Sequence, residues 1–110
     1  MKWVLLGLLF ISTPALAANV EIRKTVTAAA TAEALGTGTF NVLDICAELN
    51  NTGIMSIGFS PVAAESTRTG IPLNPGDCWH YEPKDREGDL AKIFVDTTVN
   101  GDGVHGTTYD

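Results

Sequence analysis

The two cysteines, Cys46 and Cys78, are the side chains with the clearest chemical potential in this chain. In an oxidising compartment an even number of cysteines is typical of a disulfide, whereas in a reducing one the pair would be two buried thiols. A bridge between positions 32 apart would stabilise the fold by about 3–4 kcal/mol, because it restricts the unfolded chain. The compartment therefore decides between the two interpretations.

The first 17 residues indicate that compartment. Lys2 supplies a positive charge, residues 3–11 are apolar, and Ala15 and Ala17 give the small-residue pattern that signal peptidase accepts. A membrane-spanning helix needs about 20 apolar residues, so this run is short for a permanent span, although a retained anchor is the alternative. We predict a signal peptide at 1–17 and one exported domain at 18–110, located in the periplasm or outside the cell. A Cys46–Cys78 disulfide follows from that location.

A catalytic interpretation of the Cys78-Trp79-His80 triplet is weaker. A cysteine nucleophile needs a base within hydrogen-bond reach and a group that orients the base. Cys78 and His80 would share one face of a strand, but a cysteine in a disulfide cannot attack a substrate, and the only other histidine is His105. We therefore expect that the chain is not an enzyme.

Metal binding is also weakly indicated. His80 and His105 are not part of a short-spaced ligand pair of the kind that zinc sites use. Asp96, Asn100 and Asp102 lack the alternating pattern and closing Glu of a calcium loop. We expect neither a metal nor another cofactor.

The aromatic side chains offer ligand contact instead. Trp79 and Tyr81 lie two positions apart on a predicted strand, so they would share the face opposite His80. We identify Trp79 and Tyr81 as candidate ligand or interface residues. Three more aromatics could extend them into an exposed sugar-stacking surface: Phe59, Phe94 and Tyr109. The alternative is that most of these rings fill a core that is short of large side chains.

The elements that must position these residues are β-strands. Apolar and polar residues alternate with period two or recur in short apolar runs bounded by turn residues. The segments with this pattern are 20–26, 40–49, 54–60, 78–82, 91–96 and 104–109. Residues 71–73 are expected to form an edge strand because Pro72 cannot donate to a ladder, and the Ala-rich segment 27–35 is expected to be extended. About seven or eight short strands predict an all-β fold, a small antiparallel sandwich or barrel.

Turns separate these strands at residues 36–39, 50–53, 74–77 and 100–103. In the turn at 74–77, Pro75 presets φ and Gly76 is expected to take the left-handed conformation. We expect the turn at 50–53 to close residues 40–60 into a hairpin, and the turn at 100–103 to join paired strands as well. The alternation also predicts that Leu49 continues the inward face of the strand before the turn at 50–53.

The charge balance limits the partners. The chain has 13 acidic and seven basic residues, and signal-peptide cleavage would remove one of the basic ones. Arg23 and Lys24 are the only adjacent basic pair. An acidic chain without a basic stripe repels phosphate backbones, so we expect no nucleic-acid binding and no docking through a basic patch to an anionic membrane.

Three segments carry a resemblance to a known class of proteins. They are NTGIMSIG at 51–58, GIPLNPGD at 70–77, and LAKIFVD at 90–96 followed by NGDGV at 100–104. Their order and spacing resemble small all-β structural proteins of bacteriophages, such as head-surface or fibre-type modules, to which this chain adds a signal peptide. The resemblance covers residues 25–108.

The resemblance implies a non-enzymatic virion component that associates with copies of itself or with other structural proteins. The sequence therefore predicts an exported structural or assembly protein. The alternative is a secreted or periplasmic β-sandwich module that binds a glycan or a protein ligand.

Overall fold

The computed structural model describes residues 19–59 and 69–110. The predicted signal peptide and most of the loop after residue 60 lie outside these ranges. The described part confirms the all-β, antiparallel prediction. None of its helices is long and apolar enough to cross a membrane.

The described ranges contain ten strands and one short 3-10 helix. Seven strands have three or more residues: β1 (Val20–Thr25), β4 (Val42–Ala47), β5 (Met55–Gly58), β6 (Ile71–Leu73), β7 (Cys78–Tyr81), β9 (Phe94–Thr97) and β10 (Gly103–Tyr109). Three have two residues: β2 (Glu33–Ala34), β3 (Thr39–Phe40) and β8 (Gly88–Asp89). The 3-10 helix, Leu90–Lys92, follows β8 directly.

The strands form two four-stranded sheets and a two-stranded ribbon. Sheet 1 has the order β1-β10-β4-β7, sheet 2 has the order β2-β9-β5-β6, and β3 pairs with β8. Every pairing is antiparallel. Within the described ranges both sheets have two free edges, so the arrangement is sandwich-like and neither sheet closes into a barrel. The edge position predicted for residues 71–73 is confirmed, because β6 borders sheet 2.

The alternation in the sequence determines which side chains enter the core. On β4, Leu43, Ile45 and Ala47 are fully buried while the residues between them are half-buried on the other face. Apolar residues from both sheets and from the 3-10 segment join in one core: Val26, Leu35, Phe40, Leu43, Ile45, Ala47, Met55, Ile57, Leu73, Leu90, Ile93, Val95 and Val104. Burial of this surface is the main favourable term in the stability of so small a domain.

Both predicted hairpins are wrong. β4 belongs to sheet 1 and β5 to sheet 2, so residues 48–54 cross between the sheets. β9 and β10 are divided in the same way, so residues 98–102 form a second crossing. Because the chain leaves sheet 1 after Ala47, Leu49 does not continue the inward face and is 84% exposed.

The two crossings are hydrogen-bonded to each other. Asn51, which is buried, donates from Nδ2 to the Gly103 carbonyl at 2.9 Å and accepts the Gly103 N–H at Oδ1, also at 2.9 Å. The buried Asp102 carboxylate accepts the N–H groups of Thr52 and Gly53 at 3.2 and 2.8 Å. A Cβ at Gly53 would lie 2.8 Å from Val99 Cγ2, so the close approach of the crossings requires glycine.

Two other expectations need correction. In the segment 27–35 the chain bends and turns over residues 27–30, with Ala30 at φ 68°, and only Glu33–Ala34 forms a strand. In the segment 91–96, the first two residues belong to the 3-10 helix, where the Asp89 side chain accepts the Ala91 N–H and caps the first turn. Local side-chain hydrogen bonding thus overrides the alternating pattern there.

Candidate functional site

The predicted disulfide joins β4, an inner strand of sheet 1, to β7, an edge strand of the same sheet. Cys46 on β4 lies directly opposite Cys78 on β7, with the Cα atoms 3.9 Å apart. The Ala47 N–H donates to the Asp77 carbonyl at 2.8 Å, which makes the cysteines a non-hydrogen-bonded pair, the closer of the two antiparallel pair types. Both described cysteines are used, so neither is a free thiol. The bridge fixes β7, a strand of only four residues, to the sheet.

The two faces of β7 carry different chemistry. Trp79 and Tyr81 are half-buried and lie opposite the core residues Ile45 and Leu43. Cys78 and His80 point outward and are exposed. The division of β7 into an aromatic face and a Cys/His face therefore agrees with the sequence prediction.

Trp79 and Tyr81 belong to a cluster of four rings, which we call the aromatic cluster. Their rings are stacked, with an interplanar angle of 2° and centroids 5.3 Å apart. Phe59, which follows β5 of the other sheet and is 55% exposed, makes edge contacts with both, at 5.7 and 4.9 Å. Phe40 makes an edge contact with Tyr81 from the core side at 6.1 Å. The other two predicted members, Phe94 and Tyr109, make no ring contact with this cluster in the described part of the chain.

A cleft of about 600 Å³ opens beside Tyr81. One wall is aromatic, from Tyr81 and Phe59, and the other is charged and comes from the loop after β7 and the 3-10 helix. The lining residues are Thr39, Phe59, Tyr81, Arg86, Glu87, Gly88, Asp89, Lys92 and Ile93. The volume lies within the roughly 300–1,000 Å³ of small-ligand sites.

The floor of the cleft is formed by a glycine over a buried ring. Gly88 on β8 pairs with Phe40 on β3, and a Cβ at Gly88 would lie 2.8 Å from Phe40 Cε2. Only glycine lets the backbone approach the ring this closely. The pairing therefore holds the charged loop against the aromatic cluster.

Three charged groups of the cleft are available to a ligand. The exposed side chains of Arg86, Glu87 and Lys92 make no hydrogen bond or ion pair with any other described residue. Asp89 is partly engaged, because one of its oxygens accepts the Ala91 N–H at 2.9 Å. The cleft thus combines an aromatic wall with unpaired hydrogen-bond donors and acceptors.

The outward face of sheet 1 carries a histidine between two carboxylates. His80 Nδ1 lies 2.5 Å from Asp44 Oδ1 on the neighbouring strand, and Nε2 lies 3.8 Å from Glu82. The hydrogen bond with Asp44, and then the attraction of that carboxylate, raise the pKa of His80 above its ordinary value. Since the sulfur of the neighbouring Cys78 is in the disulfide, no thiolate stands beside His80 to act as a nucleophile.

The residues weighed as metal ligands are not brought together. His80 and His105 both lie on sheet 1, but β4 separates their strands. Asp102 uses its carboxylate to bind backbone N–H groups of the first crossing. In the ranges that the structure describes, no group of three or more His, Cys, Asp or Glu side chains could hold a metal ion.

A second depression, of about 380 Å³, lies on the outward face between β1 and β10. Its lining includes Glu21, Arg23, His105 and Thr107, and it has no aromatic wall. Arg23 also lies 3.8 Å from Glu48. The cleft beside Tyr81 is therefore the stronger candidate for ligand binding.

Sequence reasoning identified Trp79 and Tyr81 but missed Arg86, Glu87 and Lys92. Arg86 and Glu87 belong to a charged stretch that is typical of an ordinary solvated loop, and Lys92 lies in the segment 91–96, for which the alternation predicts a strand. The position of the loop could have indicated its role. It begins at Pro83, two residues after Tyr81, so it has to start beside the aromatic rings of β7. The pairing of His80 with Asp44 had no sequence signal, because it depends on the register between β4 and β7.

The chain matches no protein-family model, and neither a curated protein nor a solved structure is significantly similar to it.

Proposed function

We propose that the chain is an exported, non-enzymatic structural protein that assembles with copies of itself at a surface, as small β modules of bacteriophage virions do. The proposal rests on the shared location of the three turns at 50–53, 74–77 and 100–103. All three lie at one end of the sandwich, which we call the turn end, because the first and third turns are hydrogen-bonded to each other and the Gly76 N–H of the second donates to the Ala47 carbonyl at 3.0 Å. They come from the segments in which the resemblance to virion proteins was found.

The hydrogen bonds at the turn end support a structural role for these segments. Asn51 and Asp102 are buried and bind backbone groups of the opposite crossing. In the second turn, Asp77 N–H donates to the Asn74 carbonyl at 2.8 Å and Gly76 has φ 88°. Polar side chains used in this way hold the crossings together at this end of the sandwich.

The turn end also offers an apolar contact. Leu49 is 84% exposed, which is the largest exposed fraction among the big apolar side chains of the described residues. A Cβ at Gly76 would lie 3.0 Å from Leu49 Cδ2, so the leucine projects over the second turn. Val99, 38% exposed, lies beside Gly53 on the same end. Leu49 and Val99 supply the apolar atoms that a second copy would cover if the chain associates through this end.

The disulfide supports export. Such bridges persist in oxidising compartments, and this one ties down an edge strand of a domain with a small core. The same stabilisation suits a protein that works outside the cell or on a virion surface.

The proposal is tested by the mass of the oxidised protein in solution, measured by light scattering over a range of concentrations. We expect wild type to form oligomers and Leu49→Lys to be monomeric, because a charge in a covered apolar contact is costly. Val20→Lys is the matched control, since Val20 is 51% exposed at the opposite end of the sandwich. A wild-type protein that stays monomeric at every concentration, or equal dissociation by both variants, would refute assembly through the turn end.

A further inference from the structure

We propose that the cleft beside Tyr81 binds a neutral oligosaccharide. The cleft lies at the end of the sandwich opposite the turn end, because Tyr81 pairs with Leu43 at the start of β4 while Cys78 pairs with Cys46 near its end. Binding there is therefore independent of the proposed assembly, and either proposal can fail without the other.

The aromatic wall fits the apolar face of a sugar ring. The faces of aromatic rings carry partial negative charge, which attracts the polarised C–H groups that line one face of a pyranose. Tyr81 is held in place on three sides by Trp79, Phe59 and Phe40. Such a fixed ring loses little conformational freedom when a ligand binds, so the contact costs little entropy.

The charged wall fits hydroxyl groups. Arg86 and Lys92 can only donate hydrogen bonds, whereas Glu87 and Asp89 as carboxylates can only accept them. A hydroxyl both donates and accepts, so a sugar can satisfy all four groups. A simple anion in the cleft would instead be repelled by the two carboxylates, and a simple cation would be repelled by Arg86 and Lys92.

This balance of charge separates a neutral glycan from the other ligand classes. Two cations and two carboxylates cancel, so a phosphorylated or polyanionic ligand gains no net attraction. A peptide that binds through apolar anchors needs deep apolar pockets. Among the described residues, the apolar side chains that line the cleft are Phe59, Tyr81 and the buried Ile93.

Two pairs of exposed loop residues provide matched variants. Arg86→Ala and Glu87→Ala remove charged groups that line the cleft, while Lys84→Ala and Asp85→Ala remove the same charges from neighbouring positions outside the lining. All four side chains are exposed, so we expect the four variants to fold and to show wild-type thermal midpoints.

The experiment uses the oxidised protein on an array of neutral, uronate-containing, sialylated and phosphorylated glycans, beside an array of peptides. The best neutral glycan is then titrated into each variant by calorimetry. We expect wild type to bind a neutral oligosaccharide. Arg86→Ala and Glu87→Ala should each weaken this binding by about tenfold, the effect of one hydrogen bond to a charged group, and the two controls should bind like wild type.

Four results would overturn the proposal. They are no binding to any glycan, binding only to anionic glycans, binding to peptides in place of glycans, and equal weakening by Lys84→Ala and Arg86→Ala. Light scattering of the same preparations reports assembly separately, so the loss of sugar binding is distinguishable from the loss of association.

Discussion

The side-chain amide of Asn51 forms two hydrogen bonds with the backbone of Gly103, 52 positions along the chain. The amide side chain donates to the Gly103 carbonyl and accepts the Gly103 N–H, as the backbone of a neighbouring antiparallel strand would. The contact joins the first crossing to the first residue of β10, where the second crossing enters sheet 1, so the position of the first crossing against sheet 1 depends on it.

We therefore expect Asn51→Ala to lower the free energy of unfolding by about 2–4 kcal/mol, since it leaves a buried N–H and a buried carbonyl without this partner. Asn50→Ala is the control, because Asn50 is exposed and its change should stay within about 0.5 kcal/mol. Urea denaturation of both variants gives the difference. Equal stabilities would show that the crossings do not need the Asn51 contact.

The alternation of the sequence identified the strands but not their partners. Period two predicts which face of β4 is buried, and Leu43, Ile45 and Ala47 are buried as expected. It carries no information about which strand lies next to β4. Turn residues also do not distinguish a hairpin from a crossing between sheets, and the contact that does so, from Asn51 to Gly103, has no local signature.

The candidate site was predictable in part for a similar reason. Trp79 and Tyr81 are two positions apart, so their shared face follows from strand geometry alone. Phe59 reaches them from the other sheet, and Arg86 reaches the cleft from a loop. Both placements depend on how the sheets pack, which composition and spacing do not determine.

Gly106 should not tolerate a side chain. A Cβ there would lie 2.8 Å from the Cα of Ile45 on β4, and it would overlap the Asp44 carbonyl. Gly106→Ala has to push β10 away from β4, and we expect a loss of about 3 kcal/mol or more. Gly36→Ala, where the nearest atom is Leu90 Cδ1 at 4.0 Å, should change stability by less than about 1 kcal/mol. Thermal unfolding of both variants checks this, and a well-folded Gly106→Ala protein would contradict the close approach of the two strands.

Reduction of the Cys46–Cys78 bridge should destabilise the domain. For a separation of 32 residues the expected loss is about 3–4 kcal/mol. Guanidinium denaturation with and without a reductant measures it, and the Cys46→Ala/Cys78→Ala double variant should be insensitive to the reductant. A loss below about 1 kcal/mol would mean that β7 is held mainly by the packing of Trp79 and Tyr81.

His80 should make stability depend on pH. Because Asp44 raises the pKa of folded His80, the protonated form favours folding. This contribution is complete below the unfolded value of about 6.5 and is lost as the pH rises through the folded value. The stability advantage of wild type over Asp44→Asn should accordingly shrink on going from about pH 5 to about pH 9.

An NMR titration of the His80 ring protons tests the cause directly. The pKa of His80 should fall toward about 6.5 in Asp44→Asn, and Glu82→Gln should lower it by less, since Asp44 is the larger influence. An identical pKa in wild type and Asp44→Asn would mean that the contact between the two side chains does not persist in solution.

Assembly through the turn end is tested most directly by ¹H–¹⁵N NMR of the oxidised protein over a dilution series. We predict that the amide signals of Leu49, Gly76 and Val99 shift with concentration, because these residues lie at the contact between copies. The signals of Val20 and Tyr109, at the other end of the sandwich, should stay constant. Signals that are unchanged everywhere, or that shift only at Val20 and Tyr109, would contradict the account.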